Sequence, residues 1–189
     1  MIPLYVILAV VGLILLWSIG LYNSLIRTRQ HVKESWSAID TELKRRYDLI
    51  PNLVETVKGY ATHESETLEA VIQARNHAVA STGSPGQQAQ DENALVGALR
   101  QLFAVVEAYP DLKANQNFLQ LQQDLTVTED RIQAARRFYN ANVRTLNTKV
   151  EVFPSNIIAS SFGISQAEFF EIEDAAAREA PKVSFTDPS

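Results

Sequence analysis

The sequence predicts an all-α protein in which a single N-terminal transmembrane helix continues into an antiparallel, up-down bundle of long helices. Three observations predict this fold. No charged side chain occurs before Arg27, apolar residues in the rest of the chain recur at helical steps of three and four, and no segment alternates with the period of two that marks a strand. The connections between helical segments are short, which favours antiparallel neighbours.

The amino-acid composition excludes several classes of function. The chain has 189 residues, which suits one domain with a real core, and 46% of them are apolar. The net charge is −5 with acidic and basic residues interspersed, so no basic stripe offers a surface for nucleic acid. Cysteine is absent, which excludes disulfides, thiolate nucleophiles and cysteine-ligated metals.

The apolar stretch 2–22 is long enough to cross a hydrocarbon core of ~30 Å, so it predicts an anchor in the lipid bilayer. Tyr5 lies near one end and Trp17 and Tyr22 near the other, where aromatic side chains favour the membrane interface. A cleaved signal peptide is the weaker alternative, because no Lys or Arg precedes the stretch and no good cleavage site follows it.

Basic residues directly after this stretch set the expected orientation. Arg27, Arg29 and Lys33 follow it, whereas only the α-amino group precedes it. The positive-inside rule then places the short N-terminus outside and the helical domain in the cytoplasm. The expected segments are an anchor over residues 1–24, a bundle over 25–178 and an extended or disordered tail over 179–189.

Proline and glycine divide the helical pattern. Pro51 is predicted to end the first helix and Asn52 to cap the second, because proline disfavours helix at the residue before it. The second helix is predicted to end near Ser81, where 82–86 reads as a loop, and Pro110 closes the third.

The fourth helix has the longest regular pattern. From Phe118 to Leu146 the seam residues alternate steps of three and four, the heptad spacing of a coiled coil. Asn115 or Asn117 is its candidate cap. Further residues are expected to widen the core-facing stripe: Val127, Ala134, Phe138 and Val150.

Two polar residues, Thr128 and Asn142, lie on the seam of this helix. Such residues either fix the register and the choice of partner, or lie in water at the edge of the bundle. The sequence leaves both interpretations open.

The pattern shortens after Pro154. Ser155 is predicted to begin a short helix that ends at Phe162, with Gly163 at the following position. Ser165 and Glu168 have capping-box spacing and predict one more helix. That last helix is expected to include Phe169, Phe170 and Ile172.

No motif predicts catalysis, a metal or a cofactor. His63 and the glutamate after it open like the zinc motif HExxH, but Thr67 stands where the second histidine should be. His63 and His77 lack the Glu-x-x-His pairing of di-iron bundles, and His31 is the third histidine. Phosphate-binding glycine loops and G-x-S-x-G are absent. Paired-carboxylate catalysis stays open, because many helix faces carry Asp and Glu.

The basic run 44–46 has two interpretations. It contacts anionic lipid headgroups, or it is a salt-bridged helix end beside Asp48. The second is favoured, because the run lies about 20 residues, or ~30 Å of helix, beyond the span.

Residues at two predicted helix ends are candidates for binding a partner protein at the surface. They are Arg45, Arg46, Asp48, Asn52 and Tyr60 around the first connection, and Tyr109, Asp111, Lys113 and Asn115 around the other. Capping and turn chemistry is the favoured alternative explanation for both groups. If they bind a partner, changing Arg45 and Arg46 to Ala should leave folding intact and weaken partner capture.

Several runs, in order along the chain, resemble the LemA family. They are WSAID at 36–40, LKRRYDLIPNLVETVKGY at 43–60, AYPDLKAN at 108–115, FLQLQ at 118–122, RRFYN at 136–140, FPSN at 153–156 and REAPKV at 178–183. The similarity extends over about residues 25–185, nearly all of the chain after the apolar stretch.

The resemblance implies a bacterial inner-membrane protein with an N-terminal membrane helix and an antiparallel helical bundle. It implies no catalytic, cofactor or metal residues, because the family has no established biochemical activity. We therefore predict a non-enzymatic, membrane-tethered scaffold or adaptor that binds an unknown envelope or cytoplasmic protein. The alternative is a homo-oligomeric structural protein that organises or shapes the membrane, by analogy with magnetosome-associated MamQ relatives.

Overall fold

The computed structural model describes residues 2–172, which form helices joined by short connections and contain no strand. The helices are α1 (Ile2–Lys58), α2 (Ser65–Ala80), α3 (Pro85–Val106), α4 (Pro110–Lys113), α5 (Gln116–Glu151) and α6 (Ser155–Ser161). The predicted all-α fold is confirmed over this range. The predicted tail and the boundary at residue 178 lie outside the described residues.

Side-chain contacts along α1 and α5 fix their relative direction. Lys149 of α5 donates to the Thr28 hydroxyl of α1 at 2.7 Å, and Arg46 further along α1 donates to Glu129, nearer the start of α5, at 2.8 Å. Positions that rise along α1 therefore fall along α5, so the two helices are antiparallel. The helices α2 and α3 pack on each other and α2 packs on α1, which completes the up-down bundle.

The first part of α1 stands clear of the bundle. Residues 3–20 are almost all exposed, and the buried core begins at Leu25. Among the described residues, α1 is the one helix that is long and apolar enough to cross a membrane. Its 57 residues make a rod of about 85 Å at 1.5 Å per residue, and the apolar segment and the bundle share that one continuous helix.

The prediction that Pro51 ends the first helix is wrong, because α1 continues through it to Lys58. Proline has no N–H, so a proline inside a helix deprives the carbonyl four residues earlier of its donor. Here that carbonyl belongs to Tyr47, and Arg75 of α2 donates to it from Nε at 3.2 Å. Asn52 consequently lies within α1 and caps nothing.

The helix caps are partly as predicted. Asn115 caps α5, accepting from the Phe118 N–H at 3.1 Å. The expected loop 82–86 is shorter than predicted, because α3 begins at Pro85 and Ser84 caps it by accepting from the Gln87 N–H. Proline suits this first helical position, where its missing N–H costs nothing.

The end of α6 agrees with the sequence pattern. Gly163 has φ +63, and the Ile164 N–H donates to the Ala159 carbonyl at 2.9 Å. This is the Schellman arrangement, in which glycine takes a left-handed conformation that other residues adopt only with strain.

The helix predicted from Ser165 onwards is absent, because residues 164–172 run extended along α5. Asn140 accepts from the Phe170 N–H and donates to the Phe170 carbonyl, both at 3.0 Å. Asn147 pairs in the same way with Ala167, at 2.9 and 3.0 Å. These side chains take the place of helical hydrogen bonds, so backbone polar groups are satisfied without a helix.

The prediction that four further residues widen the core-facing stripe of α5 is also partly wrong. Val127, Ala134 and Phe138 are exposed, whereas Val150 packs against the core. The core-facing seam of α5 is the narrower one that contains Leu125, and it packs mainly on α1. A helix such as α5 that packs mainly on one other helix does not need a broad apolar stripe.

Candidate interaction site

Two helix connections meet at the end of the bundle remote from the apolar part of α1. Tyr60 follows α1, and Asn115 directly precedes α5. The Asn115 amide donates to the Tyr60 hydroxyl at 2.9 Å, and the Tyr109 hydroxyl donates to the Glu64 carboxylate at 3.0 Å. Residues from both predicted groups are therefore brought together. We name this surface the distal end: Tyr60, Glu64, Tyr109, Asp111, Lys113 and Asn115.

The distal end contains both exposed side chains and half-buried side chains held by hydrogen bonds. Tyr60, Asp111 and Lys113 are exposed, whereas Tyr109 and Asn115 are half-buried. The hydrogen bond to Glu64 raises the pKa of the Tyr109 hydroxyl, so it stays a donor to that carboxylate. Asn115 both caps α5 and fixes Tyr60, so its capping role and a place in a binding surface are compatible.

Three other candidates lie elsewhere on α1. Arg45, Asp48 and Asn52 are exposed, but Arg45 precedes Tyr60 by 15 residues, or about 22 Å of helix. Arg45 pairs with Glu42 at 3.3 Å, and the neighbouring Lys44 pairs with Asp40 at 2.7 Å. Lys44 and Arg45 of the basic run are thus salt-bridged along their own helix, to carboxylates that precede them.

Arg46 is not a surface residue, so that part of the prediction is wrong. It is 1% exposed and donates from one terminal nitrogen to Glu129 at 2.8 Å and from the other to Glu92. The Tyr47 hydroxyl donates to the second oxygen of Glu92. We name these four residues the ion-pair cluster: Arg46, Tyr47, Glu92 and Glu129. The cluster joins α1, α3 and α5.

Burial dominates the electrostatics of the cluster. Glu92 is 0% exposed, and its desolvation raises the pKa of its carboxyl although Arg46 and Tyr47 act to lower it. Burial and the neighbouring Glu92 charge raise the pKa of the Tyr47 hydroxyl, which therefore remains a donor. Since Arg46 and Glu92 are both buried, removing either would leave the other charge without its main partner, so the cluster constrains how three helices fit together.

The sequence contained a signal for this cluster. Arg46 continues a seam of steps four, three, four and three, and Glu92 opens another of steps three, four, three and four. The seams are Ile39, Leu43, Arg46, Ile50 and Leu53 in α1, and Glu92, Leu95, Leu99, Leu102 and Val106 in α3. A charged residue at a core position of each of two helices predicts a buried pair.

The polar seam residues of α5 behave differently from each other. Thr128 is buried and donates to the Asp124 carbonyl of its own helix at 2.7 Å. Thr128 is therefore inside the bundle, not at an edge in water. Asn142 is half-buried, and its amide nitrogen has no hydrogen-bond partner among the described residues.

A groove of about 400 Å³ lies between α3 and α5 above the ion-pair cluster. Its apolar walls include Leu99, Phe103 and Leu125, and Arg46 and Glu129 also line it. Those two charged groups are paired with each other at 2.8 Å. Because they are paired, neither Arg46 nor Glu129 presents a free charged group to this groove.

These features define a membrane-associated helical protein, built as an antiparallel bundle on one long, partly apolar helix. The chain belongs to the LemA family, whose model matches residues 35–185. It is 30% identical over 168 residues to Protein LemA of Metamycoplasma hominis, an alignment that covers 87% of this chain and 75% of that relative.

Magnetosome proteins are also similar to this chain. Magnetosome protein MamQ 2 of Paramagnetospirillum magneticum is 27% identical over 179 residues, covering 82% of this chain and 66% of the relative. Magnetosome protein MamQ of Magnetospirillum gryphiswaldense is 25% identical with the same coverage. None of these names denotes an enzymatic activity.

Proposed function

We propose that this protein is a non-enzymatic, single-pass protein of the bacterial inner membrane that serves as a scaffold or adaptor for another envelope or cytoplasmic protein. One observation carries the proposal: α1 is unbroken from its apolar segment to the distal end. From Tyr22 to Lys58 the helix rises about 54 Å. Such a rod holds a binding surface at a set height above the bilayer.

The chemistry of the distal end suits a protein partner. Tyrosine is enriched at interfaces because it combines a large apolar ring with a polar tip. The hydroxyls of Tyr60 and Tyr109 are already held, by Asn115 and Glu64. A partner that binds there pays little ordering entropy for these side chains. The exposed charges of Asp111 and Lys113 form the rim.

The proposed orientation places the bundle in the cytoplasm. Arg27, Arg29 and Lys33 follow the apolar segment on the bundle side, and the Lys149 ammonium of α5 lies 2.7 Å from the Thr28 hydroxyl. The packed bundle thus adds a fourth basic group near the headgroups. The positive-inside rule favours the cytoplasm for this side.

Affinity capture from native membranes tests the adaptor proposal with two charge-matched double variants. Asp111→Ala with Lys113→Ala removes one acid and one base from the distal end. Arg45→Ala with Asp48→Ala removes the same charges from exposed sites partway along α1. We expect the first pair to lose a specific co-purifying protein that wild type and the second pair retain. Loss of that protein only with the Arg45 and Asp48 pair would contradict the assignment to the distal end.

A second candidate function is self-assembly that organises membrane, by analogy with the magnetosome proteins to which this chain is similar. The exposed residues Val127, Ala134 and Phe138 support it, because they recur at steps of seven and four on the outer face of α5. A second copy packed there would form a coiled-coil seam. Light scattering of detergent-solubilised full-length protein should then give a large homo-oligomer that Phe138→Ser dissociates. A monomer in wild type would exclude this candidate.

A further inference from the structure

We propose that the α5–α6 turn and α6 lie in the interfacial layer of the bilayer, as a second lipid contact beside the transmembrane helix. The occupant of this apolar surface is the lipid itself. The inference rests on the proposed function only for its membrane anchor. We name the surface the proximal patch: Val152, Phe153, Ile157 and Phe162.

The antiparallel packing of α5 on α1 sets the height of this patch. Lys149 donates to the hydroxyls of Ser24 and Thr28 at 2.9 and 2.7 Å, so the end of α5 lies just where the apolar segment ends. The Phe162 ring lies 4.6 Å from the Tyr22 ring, centroid to centroid. Tyr22 is the aromatic residue expected at the membrane interface, and α6 is therefore at the same level.

Exposure distinguishes this region from the rest of the bundle surface. Phe153 is 78% exposed, Phe162 61% and Ile157 53%. Large exposed apolar residues elsewhere in the bundle are farther apart along the sequence, whereas those of the proximal patch fall within 11 consecutive residues. A concentration of exposed apolar residues marks a contact with a partner or a membrane.

Charge and hydrogen bonding also suit lipid. No Asp, Glu, Lys or Arg occurs from Val152 to Ala167, and charged groups are the costly ones to bring into a bilayer. Three serines there are satisfied locally, whereas the half-buried Asn156 has an Oδ1 without a hydrogen-bond partner among the described residues. Ser160 and Ser161 both donate to the Ile157 carbonyl, at 3.0 and 2.7 Å. Ser155 donates to the Val152 carbonyl at 3.0 Å. Moving polar groups that are hydrogen-bonded in this way from water into lipid costs little free energy.

Two contacts with one bilayer restrict motion that a single helix leaves free. A lone transmembrane helix tilts and rotates, and its orientation is set by neighbouring helices and interfacial anchors. With Phe153 and Ile157 in the same interface as Tyr22, the bundle is fixed in tilt. The distal end is then held at one height and one orientation.

The natural absence of cysteine allows a direct test with single-cysteine variants. Phe153→Cys and Ile157→Cys are each labelled with an environment-sensitive fluorophore in the full-length chain, in vesicles of phosphatidylcholine and phosphatidylglycerol. Quenching by lipids brominated on the acyl chain reports proximity to the bilayer. Leu119→Cys is the matched control. Leu119 is 48% exposed and lies in α5, the helix that leads to the proximal patch, but near the distal end. Leu13→Cys, inside the apolar segment, reports the anchor.

We expect quenching at positions 153 and 157 to be several-fold stronger than at position 119. Equal, weak quenching at 153, 157 and 119, with strong quenching at 13, overturns this inference and leaves the anchor intact. Weak quenching at 153 together with self-quenching between labels identifies a second copy as the occupant, which also overturns it. Weak quenching at 13 removes the anchor and the proposed function together with this inference.

Discussion

Two layers of the bundle interior, about 15 Å apart along α1, hold α1 against α5 by different chemistry. In one, the Trp36 ring meets the rings of Tyr139 and Phe170 at 5.2 and 5.3 Å. We name these three residues the aromatic layer. In the other, the ion-pair cluster joins α1 to both α3 and α5. The first layer tolerates approximate fit, since apolar contact is non-directional, whereas the second needs every partner in place.

The largest expected effect is on the ion-pair cluster. Arg46→Ala should lower the free energy of unfolding by about 3–5 kcal/mol, because it leaves the buried Glu92 charge without its partner. Denaturant titration of the full-length protein in detergent measures this value. Arg45→Ala is the neighbouring control, and being exposed it should cost under about 0.5 kcal/mol. Equal effects of the two substitutions would contradict the burial of Arg46. This reverses the sequence-based expectation that both changes leave folding intact.

Trp36→Ala should have the next largest effect, since it removes the ring that the aromatic layer shares. Trp36 is half-buried, so we expect a loss of about 3 kcal/mol, the low end for a tryptophan truncation. The same titration measures it, with the exposed neighbour Ser37→Ala as control. A loss no larger than that of Ser37→Ala would show that the layer contributes little.

The two layers can also be compared by alkaline titration. Burial raises the pKa of Tyr139 to about 12, from 10.0. An unfolded tyrosine ionises above pH 10 while Tyr139 keeps its proton, so the free energy of unfolding falls as pH rises from 10 to 12. The slope from this group is at most about 1.4 kcal/mol per pH unit. Tyr139→Phe should make the measured stability curve less steep over that range, while the raised pKa of Tyr47 in the ion-pair cluster still contributes a slope of the same sign. An unchanged slope would contradict the assignment.

Asn140→Ala should detach residues 164–172 locally. It removes two hydrogen bonds to the Phe170 backbone, at an expected cost of about 1–2 kcal/mol. Hydrogen exchange at the Phe170 amide should become faster. Thr145→Ala is the control on the same helix, since its exposed hydroxyl bonds only to the Ala141 carbonyl. Exchange at Phe170 that stays as slow as in the control variant would count against the tether.

The smallest expected effect comes from replacing the charges of the cluster together. Arg46→Met and Glu92→Met, combined with Tyr47→Phe to remove the hydroxyl that donates to Glu92, should restore stability to within about 1 kcal/mol of wild type, because a buried ion pair often contributes little over apolar packing. Glu129 is partly exposed and can be solvated. If the triple variant is as unstable as Arg46→Ala, packing and not the missing charge partner explains the loss. If it is stable but loses the native arrangement of α3, the cluster provides specificity.

The sequence predicted the proposed interaction surface in part. It selected Tyr60 and Asn115, which the fold brings into hydrogen-bonding contact, and Tyr109, which bonds to the nearby Glu64. These residues could be selected because polar residues next to predicted helix ends can be recognised from the sequence alone. It placed Arg46 on the surface, because a basic run reads as solvated until the positions of Glu92 and Glu129 are known. The seam spacing of Arg46 was the overlooked local signal.

The sequence by itself determined that the chain is helical and begins with an uncharged span, because helical periodicity and absence of charge are properties of neighbouring residues. Only the tertiary structure decided three other features. Arg75 of α2 supports the Tyr47 carbonyl that Pro51 leaves without a donor, so α1 continues. Asn140 of α5 satisfies the Phe170 backbone, so residues 164–172 stay extended. Glu92 receives Arg46 in the interior. In each case the deciding hydrogen bond comes from a residue at least 28 positions away, which local periodicity does not encode.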